Sequence, residues 1–378
     1  MKVIFRVTSI ILSLILALAV FCSFVLRYPG VKSNPVEGKW YRVSSNEMKS
    51  SDGSRYKAFF KKGRENKVLV YFAGGGVSVS EETAKEDMYN KKVIGIDQLA
   101  NFTMNMGGLA TASDNNPFKD WTVIAFPYST GDFHSGTNEF PYIDKNGKKR
   151  TLFHYGYKNY SAVMKIIKEK VGLDDVDAVM VTGYSAGGFA AALLAGDVFS
   201  HYFPDAKSKT VLSDASLLLN KDWRQIAESV WGTPSQIAEN LKTDNLTLDC
   251  FVALREQYGD NVHLLFDSST RDGDLAKVQH FFDDGILDVD EKQGDVYQRI
   301  LKENIPMFKE RAGASLYVWD GLQWYDDPRN LTMHTVIATP YCLMPLSGSP
   351  FSIATWAMNA VEGICESYGL DLVDKEYD

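Results

Sequence analysis

The sequence predicts an α/β fold, a mostly parallel sheet with helices on both faces and a helical insertion over one sheet edge. Two observations carry this. Short, uninterrupted apolar runs recur along the chain, and stretches of helical spacing or loop composition stand between them. Strands buried on both faces read as continuous apolar runs, and alternation with helices implies parallel crossovers.

Taken in order, the chain opens with Lys2 and Arg6, then an uncharged stretch from Val7 to Leu26 closed by Arg27 and Pro29-Gly30. Twenty apolar-dominated residues match one helical crossing of a bilayer. Residues 1–27 therefore read as a signal anchor, or as a signal peptide cleaved near Ala17-Leu18-Ala19. Either way the remainder is expected outside the cytoplasm, secreted or on a single-pass anchor. Residues 28–64 read as a juxtamembrane linker and entry to the fold, and 65–378 as one α/β-hydrolase catalytic domain.

Strands are expected in "KVLVYFAGGG" (67–76), "WTVIAFPYSTGD" (121–132), "DAVMVTGYSAGG" (177–188), "KTVLSDAS" (209–216), "NVHLLFDSST" (261–270) and "SLYVWDG" (315–321). A helix with a glycine stop is expected over 157–172, and another in "FAAALLAGDVFSHYF". The stretch 220–258 carries helical patterns between two strands and is the expected cap over the carboxyl edge, where open α/β sheets bind ligands.

The 378 residues are 45% hydrophobic, enough for a sizeable core, and carry a net charge of −8. That charge argues against nucleic acid as a partner. The basic run "KNGKKR" at 145–150 reads as a solvated hairpin turn around Asn146-Gly147. Cys250, Cys342 and Cys365 follow the apolar segment and allow at most one internal disulfide. No His/Cys cluster suggests a metal. Sequons at Asn101, Asn159, Asn245 and Asn330 suit an exported glycoprotein.

Chemistry concentrates in the third apolar run. Gly183-Tyr184-Ser185-Ala186-Gly187 fits G-x-S-x-G directly between a strand and a helix, the setting of a nucleophile elbow. Gly74-Gly75-Gly76 ends the first run, where bare amides of Gly75 and Gly76, with that of Ala186, would form an oxyanion hole. No G-K-[ST] follows, which excludes a P-loop. The base and its orienting acid must follow the serine. His334 lies in a loop beyond the last run, whereas His280 sits in a helical pattern. Asp272 lies just past the fifth run and is the preferred acid; Asp267, Asp274 and Asp214 remain alternatives.

These residues resemble a known family. "FAGGGVS", "NPFKDWTVIAFPYSTGDFHSG", "FHYGYKNYSAVMKII", "VTGYSAGGFAA", "HTV" and "GSPFSIATWAMNAVEG" are similar to the pectin acetylesterase family, which includes plant pectin deacetylases and Notum-like serine carboxylesterases. The resemblance runs from about residue 65 to 365. It implies an α/β-hydrolase fold, with Ser185 as nucleophile, His334 as base and Asp272 as acid, and no cofactor. It also implies an acylated polysaccharide or other ester-bearing macromolecule as partner. Asp132 and His134 keep the family's local pattern and are expected at the mouth of the site or as a structural pair. Val77-Ser78 and Ser129 stand where members commonly carry Trp or Cys, so the disulfides of plant and animal members are missing. Two other readings share the scaffold: a non-catalytic binding protein, and a lipid or protein deacylase or thioesterase.

Overall fold

The computed structural model describes residues 26–173, 175–322 and 324–377. Among the described residues ten strands are formed: β1 (Trp40–Val43), β2 (Ala58–Lys61), β3 (Lys67–Phe72), β4 (Thr122–Phe126), β5 (Glu139–Ile143), β6 (Lys149–Phe153), β7 (Ala178–Tyr184), β8 (Ser208–Asp214), β9 (Val262–Ser269) and β10 (Ser315–Trp319). Eight of them make one sheet in the order β1-β2-β4-β3-β7-β8-β9-β10, while β5 and β6 form a separate hairpin. From β4 to β10 every pairing is parallel; β1 and β2 add an antiparallel edge. This is an α/β-hydrolase-like arrangement. All six apolar runs became strands, because each is buried on both faces.

Among the described residues seven longer helices complete the layers: α1 (Asp97–Met104), α2 (Gly156–Val171), α3 (Ala186–Asp197), α4 (Leu246–Tyr258), α5 (Gly273–Asp284), α6 (Glu291–Ala312) and α7 (Ile353–Val361). Helix α2 buries Tyr160, Val163, Met164 and Ile167 along one stripe and ends on Gly172 at φ 69°, as its spacing and glycine stop predict. Helix α3 is apolar all round and almost wholly buried, so it runs through the core rather than along its surface.

Two expectations are revised. The 28–64 stretch is entry to the fold more than linker: β1 and β2 belong to the sheet, and Phe59 and Phe60 are fully buried. Strands this short, with Lys and Arg interspersed, carry too little apolar length to read as strands alone. Asn159 and Asn245 are buried, their amides bonded to the Lys49 backbone and to Asn304, and Asn101 is buried too. Those three sequons cannot bear glycans in the folded protein; Asn330 lies nearer the surface and bonds Glu291. Cys250, Cys342 and Cys365 are all free thiols. The "KNGKKR" segment forms the β5–β6 turn, with the Asp144 carboxylate accepting from the amides of Asn146 and Lys148. Among the described residues no helix is long and apolar enough to cross a membrane. The Val7–Leu26 stretch lies outside them, except for Leu26.

Candidate active site

The site assembles on the carboxyl edge of the sheet. Strand β7 ends at Tyr184, and α3 begins at Ala186, leaving Ser185 alone to make the turn at φ 54° and ψ −126°. A non-glycine residue rarely adopts this conformation. The flanking glycines permit it. A Cβ at Gly183 would stand 2.2 Å from the Gly187 carbonyl oxygen, and one at Gly187 2.0 Å from the Phe72 carbonyl oxygen. The amide of Ser185 donates to the Asp214 carbonyl at 2.8 Å, tying the turn to the end of β8.

After β3 the chain passes through Gly74, Gly75 and Gly76. A Cβ on Gly76 would lie 1.9 Å from the Met88 carbonyl oxygen, so this turn too is closed to larger residues. All three glycines line a cavity of about 490 Å³ together with Ser185, Ala186 and His334. Its apolar wall comes from Phe133, Phe189, Leu218, Leu275, Val278 and Leu287. Phe133 stacks on Phe189 at 4.3 Å, and Trp223 and Trp231 of the 220–258 insertion pack behind that pair.

Asp272 caps the start of α5. Its Oδ1 accepts from the amides of Asp274 and Leu275, which leaves Oδ2 to accept from His334 Nδ1–H at 2.7 Å. Asp274, an alternative acid by sequence, instead lines the cavity. Burial alone would disfavour the imidazolium, but the Asp272 carboxylate outweighs it and holds His334 above its ordinary range. Burial likewise raises Asp272, opposed by His334. The loop bearing His334 is pinned on both sides. Thr332 exchanges backbone and hydroxyl bonds with Arg271, and the amides of Val336 and Ile337 donate to Asp214 Oδ2 at 2.8 and 2.9 Å. Arg271 is itself buried and bonds the Asn330 carbonyl at 2.6 Å. Sequence reasoning missed these anchors, because a backbone amide has no side-chain signature.

Asp132 and His134 take neither the mouth nor each other. Asp132 is fully buried and accepts from Thr130 Oγ1 and from the amides of Gly136 and Gly156. His134 Nε2 bonds the Ala73 carbonyl at 3.0 Å, directly beneath the glycine turn, and burial pushes its pKa down to about 4. It is a neutral prop for that turn. Phe133 between them reaches the cavity wall. Asp267 lies within β9 beside Asp214, away from His334's bonded nitrogen.

The described arrangement places a strained serine, a carboxylate-held imidazole and a turn of bare backbone on one cavity. Comparison with known proteins supplies the family. A model of the family described as pectinacetylesterase matches residues 38–256, more than half of the chain. The chain belongs to the pectinacetylesterase family. Pectin acetylesterase 5 of Arabidopsis thaliana is 31% identical to it over 115 residues, 30% of this chain and 26% of the plant protein. The match thus spans about a quarter of that relative's length. The family match contains the glycine turn and Ser185 but stops short of Asp272 and His334. That His334 lines the same cavity as Ser185, with Asp272 bonded to its Nδ1, is information that the fold adds to the family match.

Proposed function

We propose that the protein is a serine carboxylesterase that hydrolyses acyl esters, acetyl foremost, on an extracellular polysaccharide or other acylated macromolecule. The observation that carries this is His334: its Nδ1 is held by Asp272, and it shares one cavity with Ser185 on a strained turn. In this reading Ser185 Oγ attacks the ester carbonyl while His334 Nε2 takes its proton. Asp272 fixes the tautomer and stabilises the imidazolium. Amides of Gly75, Gly76 and Ala186 receive the oxyanion, where losing one donor costs about 10²–10³ in turnover. His334 then protonates the leaving alcohol, and water resolves the acyl-enzyme by the reverse proton path. The Val7–Leu26 segment would place this chemistry outside the cytoplasm, anchored or secreted.

A second reading concerns the acyl group. A cavity of about 490 Å³ with a largely apolar wall has room for chains longer than acetyl. Measuring kcat/KM on p-nitrophenyl esters from acetate to octanoate, then acetate release from acetylated polysaccharides, separates the two. Preference for acetate and release from polysaccharide support the main reading; a rise in kcat/KM with chain length favours the deacylase. No hydrolysis of any ester, with Ser185 unlabelled by fluorophosphonate, would overturn both.

A further inference from the structure

Asp214 and Asp267 end up side by side, directly opposite in the β8–β9 register, with neither exposed to solvent. As directly paired residues of adjacent parallel strands, they project their side chains from the same face of the sheet. Asp214 Oδ2 is satisfied by the amides of Val336 and Ile337, and Asp267 Oδ2 accepts from Trp319 Nε1 at 3.3 Å. The remaining oxygen of each, Oδ1, is buried with no donor. Two such orphans on paired positions of neighbouring strands in a dry interior have one economical solution. A single proton, carried by one acid and donated to the other, satisfies both, whereas two adjacent anions could not coexist there.

The bonding pattern says which acid carries the proton. Asp214 receives two amide donors that favour its anion, while Asp267 receives one long indole bond. Other titratable groups that feel the pair are Tyr71, Tyr184, Tyr297, Tyr317 and Cys342, all pushed upward by burial and therefore neutral, and His334. The burial that lifts Asp267 well above its ordinary range and Asp214 to about 6 agrees with this assignment.

Asp214 also touches both halves of the site. Its carbonyl holds the Ser185 amide, and its carboxylate holds the loop two and three residues after His334. We propose that Asp214 and Asp267 share one proton and act as a positioning pair, protonated Asp267 keeping Asp214 an anion that sets the His334 loop against the Ser185 turn. The pair touches no reacting atom; it acts through the backbone on either side. This rests on the esterase reading above, so its test includes a readout that does not require turnover.

Infrared spectroscopy of the full chain near neutral pH should show the carbonyl stretch of a buried protonated carboxylic acid that disappears in Asp267→Asn. On p-nitrophenyl acetate, Asp267→Ala, which strands the Asp214 anion's Oδ1, should lower kcat roughly 10- to 100-fold with KM within about threefold. Asp267→Asn restores a donor and should recover most of that loss. Asp214→Asn leaves only a neutral acceptor for the loop amides and should lose kcat as Asp267→Ala does. Absence of the protonated-acid band in the wild-type protein would overturn the proposal. So would equal kcat losses in Asp267→Asn and Asp267→Ala. A wild-type protein that shows the band but hydrolyses no ester would instead remove the esterase reading and leave the shared proton standing.

Discussion

Ser185 carries a local conformational cost in the site, as a non-glycine residue at φ 54° and ψ −126°. Backbone strain of this kind is worth about 1–3 kcal/mol, and glycine would relieve part of it. Ser185→Gly should therefore be about 1 kcal/mol more stable than Ser185→Ala in urea unfolding, with both inactive toward p-nitrophenyl acetate. Equal stabilities would mean the turn is unstrained. His334 yields a pH prediction. Its neutral form is the proposed base, and Asp272 raises its pKa above the ordinary 6.5. A raised base pKa means that activity is lost as pH falls through a value above 6.5. The acid limb of kcat/KM should sit there in the wild type. Asp272→Asn should move it downward while kcat drops by roughly 10⁴. An acid limb that stays put in that variant would separate Asp272 from the titration. The strand-to-helix setting made Ser185 legible in the sequence, and chain order made His334 legible. The bond that distinguishes Asp272 from Asp267 and Asp274 was not legible, since all three lie within eight residues and only the fold shows which oxygen faces the imidazole.

The elements impose their own tolerances. Two glycines of the same helix, α3, make opposite predictions. A Cβ at Gly187 would collide with the Phe72 backbone at 2.0 Å, so Gly187→Ala must push α3 off β3. It should destabilise by about 3 kcal/mol or more and abolish activity. At Gly196 the nearest atom to a new Cβ is a flexible Leu254 side chain at 3.6 Å. Gly196→Ala should be neutral or stabilising by up to about 1 kcal/mol. Thermal melts of both variants check the pair, and a tolerated Gly187→Ala would mean the elbow has slack. Strands β3, β4 and β7 to β10 were readable because double burial demands unbroken apolar runs. The antiparallel strands β1 and β2 were not, and of the β5–β6 hairpin only the turn at Asn146-Gly147 was. Their pattern mixes charged residues with short apolar pairs, as edges and exposed hairpins do.

At the scale of the whole molecule, the segment before residue 65 behaves as part of the domain. Strand β2 pairs with β4 and buries Phe59 and Phe60, and the Asn159 amide group clamps the Lys49 backbone. A chain beginning at residue 65 should aggregate or lack near-ultraviolet circular dichroism, while one beginning at Tyr28 should elute as a folded species on gel filtration. Equivalent folding of the two would return 28–64 to the status of a linker. The insertion over 220–258 contributes in the same long-range way, since Trp223 and Trp231 back the cavity wall made by Phe133 and Phe189. What the amino-acid order determined by itself was local: the parallel strands, the helix starts and stops, and the glycines that let Ser185 turn. Those features follow from sterics and periodicity between near neighbours. Only the tertiary structure decided which carboxylate meets His334, that Asp132 and His134 are buried props, and that Asp214 and Asp267 share a dry interior. Such pairings join residues tens to hundreds of positions apart, and burial, which sets their protonation, has no value until the chain has closed around them.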